Sequence, residues 1–354
     1  MISRRRFLHD HALAAAGAAL LPSPGPLSLG LGRSDYLSFD LHTHPGVAFN
    51  RGRKGYPGDS AILATVNAMN EGRLSGAFFS LVADGPFLEI TSTGVKVSGS
   101  YGPGEAWKEY QQQLKSLKEL IGTVPATLAT RPADLDRAPK TGKVAAFLGC
   151  EGGEFLDGDP GRLEVMHADG IRSLQLVHYV PNILGDLQTS PPQHDGLSAA
   201  GKAVVKRMNQ LRMVVDVAHA SQKTVQDVVD ITTAPIILSH SILKVDEPRP
   251  ISARAITTEH AKLVANTGGV IGAWPSGFNT SFQDFVDNTM RLIDAAGIDH
   301  VGLGTDMDGN FKPVFKSHTE LPAWAEALRA KGLAREDVAK VMGGNARRVL
   351  RAVL

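Results

Sequence analysis

VVDVAHAS (residues 214–221) and APIILSHS (residues 234–241) decide the fold of this chain. Each is an apolar, β-branched run that ends in a histidine, His219 in the first and His240 in the second. Continuous apolar runs of this kind mark strands buried on both faces, as in parallel sheets. Two such strands in succession carry two imidazoles to one rim of a sheet. The same layout opens the chain, where YLSFDLHTH (36–44) ends in His42 and His44. It recurs near the end, where HVGLGTDMDG (300–309) carries Asp306 and Asp308. The C-terminal rim of the strands is where α/β barrels keep their chemistry.

Working outward, eight apolar runs alternate with amphipathic segments. The expected strands are 37–41, 76–82, 144–148, 171–177, 213–217, 236–238, 269–273 and 301–304. Helix-like stretches lie at 60–71, 104–121, 198–211, 222–230, 258–266 and 282–296, with Ser198 placed to cap the third. Eight strand–helix repeats predict a (β/α)8 TIM-type barrel of the α/β class. Two or three amphipathic helices follow at the C-terminus, broken at Gly343-Gly344. Residues 47–60 and 89–104, rich in Gly, Pro and polar groups, read as loop or hairpin.

The 354 residues, 43% hydrophobic and 21% charged, suit one large domain. A net charge of +1 points to neither nucleic acid nor an anionic membrane as partner. Cys150 is the only cysteine, so no intrachain disulfide forms and any metal site must use nitrogen and oxygen. Residues 1–26, MISRRRFLHDHALAAAGAALLPSPGP, have a basic start, a short Ala/Leu run and a Pro/Gly stop, the composition of a targeting leader. The apolar stretch 12–21 is about half the ~20 residues a spanning helix needs, so no transmembrane segment is expected. SRRRFL (3–8) resembles a twin-arginine export signal, which implies a periplasmic or extracytoplasmic location. The expected division is a leader at 1–34 and a single barrel domain at 35–354. Removing the leader leaves 33 basic and 35 acidic residues, a balance of −2.

Ionisable groups crowd the expected strand ends: His42, His44, Glu151, His178, His219, His240 and Asp306. One histidine at a strand end is more often a hydrogen-bonded core residue than a ligand. Seven groups converging on a barrel mouth are costly in desolvation and repulsion unless a cation joins them. One catalytic zinc takes three protein ligands, so this set exceeds what a single ion needs. Two divalent ions sharing a carboxylate and about 3.5–4 Å apart fit it better, with Zn2+ the simplest choice and manganese or iron the alternatives. Asp308 reads as a turn former, Glu154 as a partner of the site or an exposed acid, and Trp107, Trp274 and Trp324 as packing. His167, His260 and His300 read as surface residues, and His194 and His318 have no assigned role.

The chain resembles the membrane dipeptidase family of metallopeptidases, renal-dipeptidase-like, within the amidohydrolase barrels. The likeness runs from about residue 37 to 350. It rests on CEGGEF (150–155), GIRSLQLVHYVPN (170–182), GLSAAGKAVVKRMNQLRMVVDVAHAS (196–221), SHS (239–241), GLGTDMDG (302–309) and GGNARRVL (343–350). The resemblance implies a zinc-dependent dipeptidase in which a hydroxide bridging the two metals attacks the peptide carbonyl. His42, His44 and Asp306 would hold one ion, His219 and His240 the other, and Glu151 both. Asp306 would also shuttle the proton, and His178 would contact the substrate and steady the oxyanion. Arg254 would grip the substrate carboxylate, with Arg249 as its rival in the prolyl segment around Pro248 and Pro250.

Two further departures stand out. His44 occupies a place where the family usually has aspartate, and GGVIGAWPSGF (268–278) lacks an Asn-Phe-Tyr often found there. The expected partner is a dipeptide, with at most a second copy of the chain in a homodimer. Two other readings stand beside this one. A metal-dependent phosphoesterase of the His-x-His barrels would need further histidines, and a metal-binding barrel without turnover would bind ions but hydrolyse nothing.

Overall fold

A computed structural model describes residues 36–91 and 94–354. The expected leader at 1–34 lies outside the described residues. The strands are β1 (Phe39–Thr43), β2 (Gly76–Val82), β3 (Leu88–Ile90), β4 (Val95–Val97), β5 (Ala126–Ala129) and β6 (Val144–Glu151). They continue as β7 (Ile171–Gln175), β8 (Val214–Asp216), β9 (Ile237–Leu243), β10 (Ala255–Ile256), β11 (Val270–Ala273) and β12 (Val301–Leu303). Eight of them close into a ring in the order β1-β2-β6-β7-β8-β9-β11-β12, with every pairing parallel. These are the eight apolar runs expected as strands, and the protein is a (β/α)8 barrel. Helices such as Ser60–Glu71, Ala199–Leu211, Thr258–Asn266 and Phe282–Ala296 fill the connections. Ser198 caps as expected, its hydroxyl accepting from the backbone N–H of Gly201 at 3.0 Å.

One end of the barrel is closed by apolar packing. Phe39 meets Phe78 and Phe147 edge-on, with ring centroids 5.5 and 5.8 Å apart. The C-terminal helix Asn345–Val353 adds Ala346, Val349, Leu350 and Val353 to this cluster. That plug leaves the other rim, where the strands end, for polar groups.

β9 runs longer than its apolar stretch suggested, so His240 lies within the strand rather than at its end. The pairing of β9 with β11 shifts register between Ile271 and Ala273, and β1 shifts against β2 between Asp40 and Thr43. Both irregularities fall beside histidines of the rim, where a bulge re-aims a side chain. Gly272 and Gly304 allow the crowding: a Cβ on either would stand within 1.9 Å of the Ser239 carbonyl oxygen. The segment after β2 holds an antiparallel hairpin of β3 and β4. The Gly343 break is a single widened turn, Lys340–Gly344, that leads into the final helix.

Candidate metal centre

Glu151, the last residue of β6, sits at the middle of the rim. Its Oε2 is 3.2 Å from Nε2 of His44. Its Oε1 is 3.4 Å from Nε2 of His42, 3.2 Å from that of His178, 3.5 Å from that of His219 and 3.8 Å from that of His240. The histidines also pair with each other, Nε2 to Nε2, at 3.1 Å for His42 and His44 and 3.0 Å for His219 and His240. Asp306 Oδ1 lies 3.1 Å from His44 Nε2. All these residues are buried.

The donor set fits two cations. Two imidazole lone pairs at this spacing repel unless a proton or a cation stands between them. Nitrogens each ~2.0–2.1 Å from one tetrahedral zinc lie about 3.3 Å apart, close to both pairs. Among the described residues, two triads bring their ligand atoms within 4.8 Å of one another: His42, His44, Glu151 and Glu151, His219, His240. Glu151 belongs to both. No thiolate competes, since Cys150 is buried and burial pushes its thiol up.

The neighbours orient these ligands. His44 Nδ1 meets the Ser80 carbonyl at 3.2 Å, which fixes a proton on Nδ1 and turns Nε2 to the centre. His42 Nδ1 and His240 Nδ1 lie 3.3 and 3.1 Å from the hydroxyls of Ser80 and Ser239. Asp40, a buried residue of β1, accepts from the backbone N–H of Thr305 at 2.9 Å and faces Nε2 of His318 at 2.8 Å. It thereby ties β1 to the loop that carries Asp306. Asp216 accepts from the backbone N–H groups of Ala218 and Ser239, each at 3.0 Å, and joins the turn that carries His219 to the strand that carries His240. His219 and Asp306 both have positive φ, +66° and +53°. A left-handed backbone at a residue other than glycine is held by its surroundings and collects at functional sites.

The electrostatics divide the cage. Burial pulls His44 down, but hydrogen bonds and charge from Asp306 and Glu151 outweigh it and raise His44 to about 10. Burial, reinforced by the nearby Arg254, His178 and His42, holds His219 and His240 well below the usual histidine range. Neutral imidazoles are the form that ligates. Burial opposes ionisation of Glu151, but His178 and His42 hold it well below the usual carboxylate range.

Arg254 lies in the short turn after β9, fully buried. Its Nη1 donates to Gln188 Oε1 and the Tyr179 hydroxyl also interacts with the guanidinium, while Nε and Nη2 lack a well-aligned acceptor. Its guanidinium lies 5.4 Å over Trp274, whose ring is 5.3 Å from that of His240. Arg249, its rival, pairs with Asp284. An open pocket adjoins the centre, lined by His44, Glu151, His178, Tyr179, His219 and Asp306, and by Phe49, Leu88, Ile251, Trp274 and Phe311. Trp274 is therefore part of the pocket wall rather than core packing alone.

Other expectations change in the structure. His260 is buried, not at the surface, because it lies on the inward face of its helix with Ala261 and Val264. Glu154 is half-buried, its Oε2 shielded from solvent and its Oε1 accepting from Asn182 at 3.0 Å. Asp308 does form a turn, accepting from the backbone N–H of Gly46 at 2.7 Å. Among the described residues, the further histidines a phosphoesterase centre would need do not gather here. His194 meets the Asn182 carbonyl, His300 the Gly269 carbonyl and His318 Asp40. Asp84, Asp40 and Asp216 were missed from sequence. Asp84 follows β2 by two residues, so the rule of ionisable groups at strand ends reaches it.

Comparison with known proteins gives one family. The family model described as membrane dipeptidase, peptidase family M19, matches residues 34–354. A dipeptidase of Claviceps purpurea is 31% identical over 236 residues, 64% of this chain. The chain spans 55% of that relative's length. A dipeptidase of Aspergillus oryzae is 28% identical over 303 residues, 80% of this chain and 68% of the relative. The fold is also similar to a metallopeptidase from Rhodobacter sphaeroides liganded with a phosphinate mimic of L-Ala-D-Ala. That structure has a TM-score of 0.75 at 23% identity, covering 90% of this chain and 100% of the other.

Proposed function

The chain belongs to the membrane dipeptidase family, and on that premise we propose that it is a zinc-dependent dipeptidase of an extracytoplasmic compartment. The observation that carries this reading is the convergence of two histidine pairs on the two oxygens of one carboxylate, Glu151. His42, His44 and Asp306 would hold one divalent ion and His219 and His240 the other, with Glu151 shared. When bound, the pair supplies an activated water and polarises the scissile carbonyl.

The chain's own residues do the rest. Arg254 offers Nε and Nη2, two unpartnered and buried donors, to the C-terminal carboxylate of a short peptide. Leaving such donors unmet costs ~1–3 kcal/mol each, so the site is built for an anionic partner. Asp306 takes the proton released on attack at its carboxylate and returns it to the departing amine nitrogen. His178 turns Nε2 toward the pocket, where it can donate to the oxyanion. Arg254 and His240 both lie within 5.4 Å of the Trp274 ring, so a carboxylate held by Arg254 would keep the scissile bond of a short peptide near the centre.

The test is hydrolysis of a panel of dipeptides by the zinc-loaded protein beside a His219→Ala control. Turnover present only in the parent chain supports the reading, and equal rates in both would overturn it. The leader motif at 3–8 supports export by the twin-arginine route. Exchange of Arg4 and Arg5 for lysine should then hold the protein in the cytoplasmic fraction.

A further inference from the structure

We propose that the apolar face of the β3–β4 hairpin is a specificity wall, which takes up a large apolar side chain of the dipeptide. This rests on the dipeptidase reading of the metal centre and adds the substrate class. The two strands pair antiparallel, with Leu88 opposite Val97, Glu89 opposite Lys96 and Ile90 opposite Val95. Side chains alternate between the faces of a strand, and residues paired directly across share a face. Leu88, Ile90, Val95 and Val97 therefore form one apolar face, with Glu89 and Lys96 on the other. Leu88, Ile90 and Val95 line the open pocket together with His44, Glu151 and Asp306. The apolar face is thus turned to the metal centre.

The hairpin is held at both ends. At its base the backbone N–H of Ser98 donates to the Phe87 carbonyl at 2.8 Å, and Phe87 meets Tyr101 edge-on with centroids 4.7 Å apart. At its tip a Cβ on Gly94 would stand 3.9 Å from Cγ2 of Ile251, in the segment between β9 and β10. The chain nevertheless leaves the face open, with Ile90 65% exposed. A two-stranded hairpin is marginal in water unless something packs on its apolar face.

Continuity with the centre identifies the occupant. Phe49, Ile251 and Phe311 extend the apolar lining. Among the described residues, the lining carries ionisable side chains only in the centre, at its neighbours His178 and Tyr179, and at Asp308. A charged side chain set against the hairpin would shed water without gaining a partner. An aliphatic or aromatic one would cover Ile90 and Val95, and burial of apolar surface favours it.

The experiment assays the zinc-loaded full chain on two matched dipeptide series, Xaa-Ala and Ala-Xaa, with Xaa as Ala, Leu, Phe, Glu or Lys. In at least one series the parent chain is expected to prefer Leu or Phe over Ala by about tenfold or more in kcat/KM, with Glu and Lys no better than Ala. Ile90→Ser with Val95→Ser should cut that preference to less than about threefold and leave Ala-Ala hydrolysis within about twofold. Ile90→Leu should keep the preference, as should Glu89→Ser with Lys96→Ser on the opposite face. If the double variant is unstable, Ile90→Ser alone, at an exposed side chain, carries the test with a loss of about threefold. Phosphinate mimics of Leu-Ala, Ala-Leu and Ala-Ala, titrated by calorimetry, give a readout independent of turnover, and the tighter binding of a Leu mimic should shrink in the same variants. The proposal is overturned by a parent chain with no apolar preference in either series, by an unchanged preference in the serine variants, or by an equal loss on Ala-Ala. Sedimentation tests a second copy of the chain as the occupant: a dimer that the serine variants dissociate, with the preference unchanged, would overturn it as well. If the parent chain hydrolyses no dipeptide, the dipeptidase reading fails, and the mimics alone decide whether the hairpin face takes an apolar side chain.

Discussion

The guanidinium of Arg254 lies 5.4 Å over the indole ring of Trp274, buried and with two of its nitrogens unpartnered. The indole holds the fork flat and its face favours the cation. Arg254→Lys keeps the charge and loses the fork. Its expected effect is a rise of about tenfold or more in KM for dipeptides, a loss of one bidentate contact. Dipeptide amides, which lack the carboxylate, should be poor substrates of both proteins and show no such difference. Equal KM values for dipeptides in the two proteins would remove Arg254 from the carboxylate site.

His44 is raised to about 10 by Asp306 and Glu151 against the opposing effect of burial, and must lose its Nε2 proton to ligate. Zinc binding near pH 8 is therefore expected to release a proton from this group, and zinc affinity should fall as pH is lowered. Calorimetry in buffers of different ionisation enthalpy reads the proton count. His44→Asp replaces this group with a carboxylate. The variant should release fewer protons while it keeps both ions and at least the parental activity. Complete loss of metal in His44→Asp would contradict the ligand assignment.

Glu154 gives a pH dependence of stability. Burial, and then the charge of Asp84, lift its carboxyl from the ordinary 4.5 to about 8. The folded protein holds this proton in a window where the unfolded chain has lost it. This contribution is full below the unfolded value and is lost as pH rises through the folded one. Glu154→Gln carries no such charge. Its stability relative to the parent chain should rise between about pH 5 and pH 8, as read from urea midpoints. Parallel curves for the two proteins would mean that Glu154 is ionised throughout.

Much of this was legible because apolar runs on a parallel barrel are buried on both faces. The strands of Phe79, Leu148 and Leu238 could hardly be anything else. The rim histidines were visible for the same reason, since each ends or interrupts such a run. The supports were not legible. Asp40 and Asp216 sit inside strands, and their partners Thr305 and Ser239 come from other strands or loops. Sequence spacing carries no record of such pairings. Likewise, nothing in the prolyl segment separated Arg254 from Arg249. The difference is that Asp284, thirty-odd positions away, pairs with Arg249, whereas Arg254 has only the neutral partners Gln188 and Tyr179.

Glu151 would join a pair of cations. Anomalous diffraction from zinc-soaked crystals tests it most directly. Two zinc peaks are expected on the barrel rim, one beside His42 and His44, one beside His219 and His240, with the Glu151 carboxylate between them. A single peak, or zinc held elsewhere with these side chains empty, would contradict it.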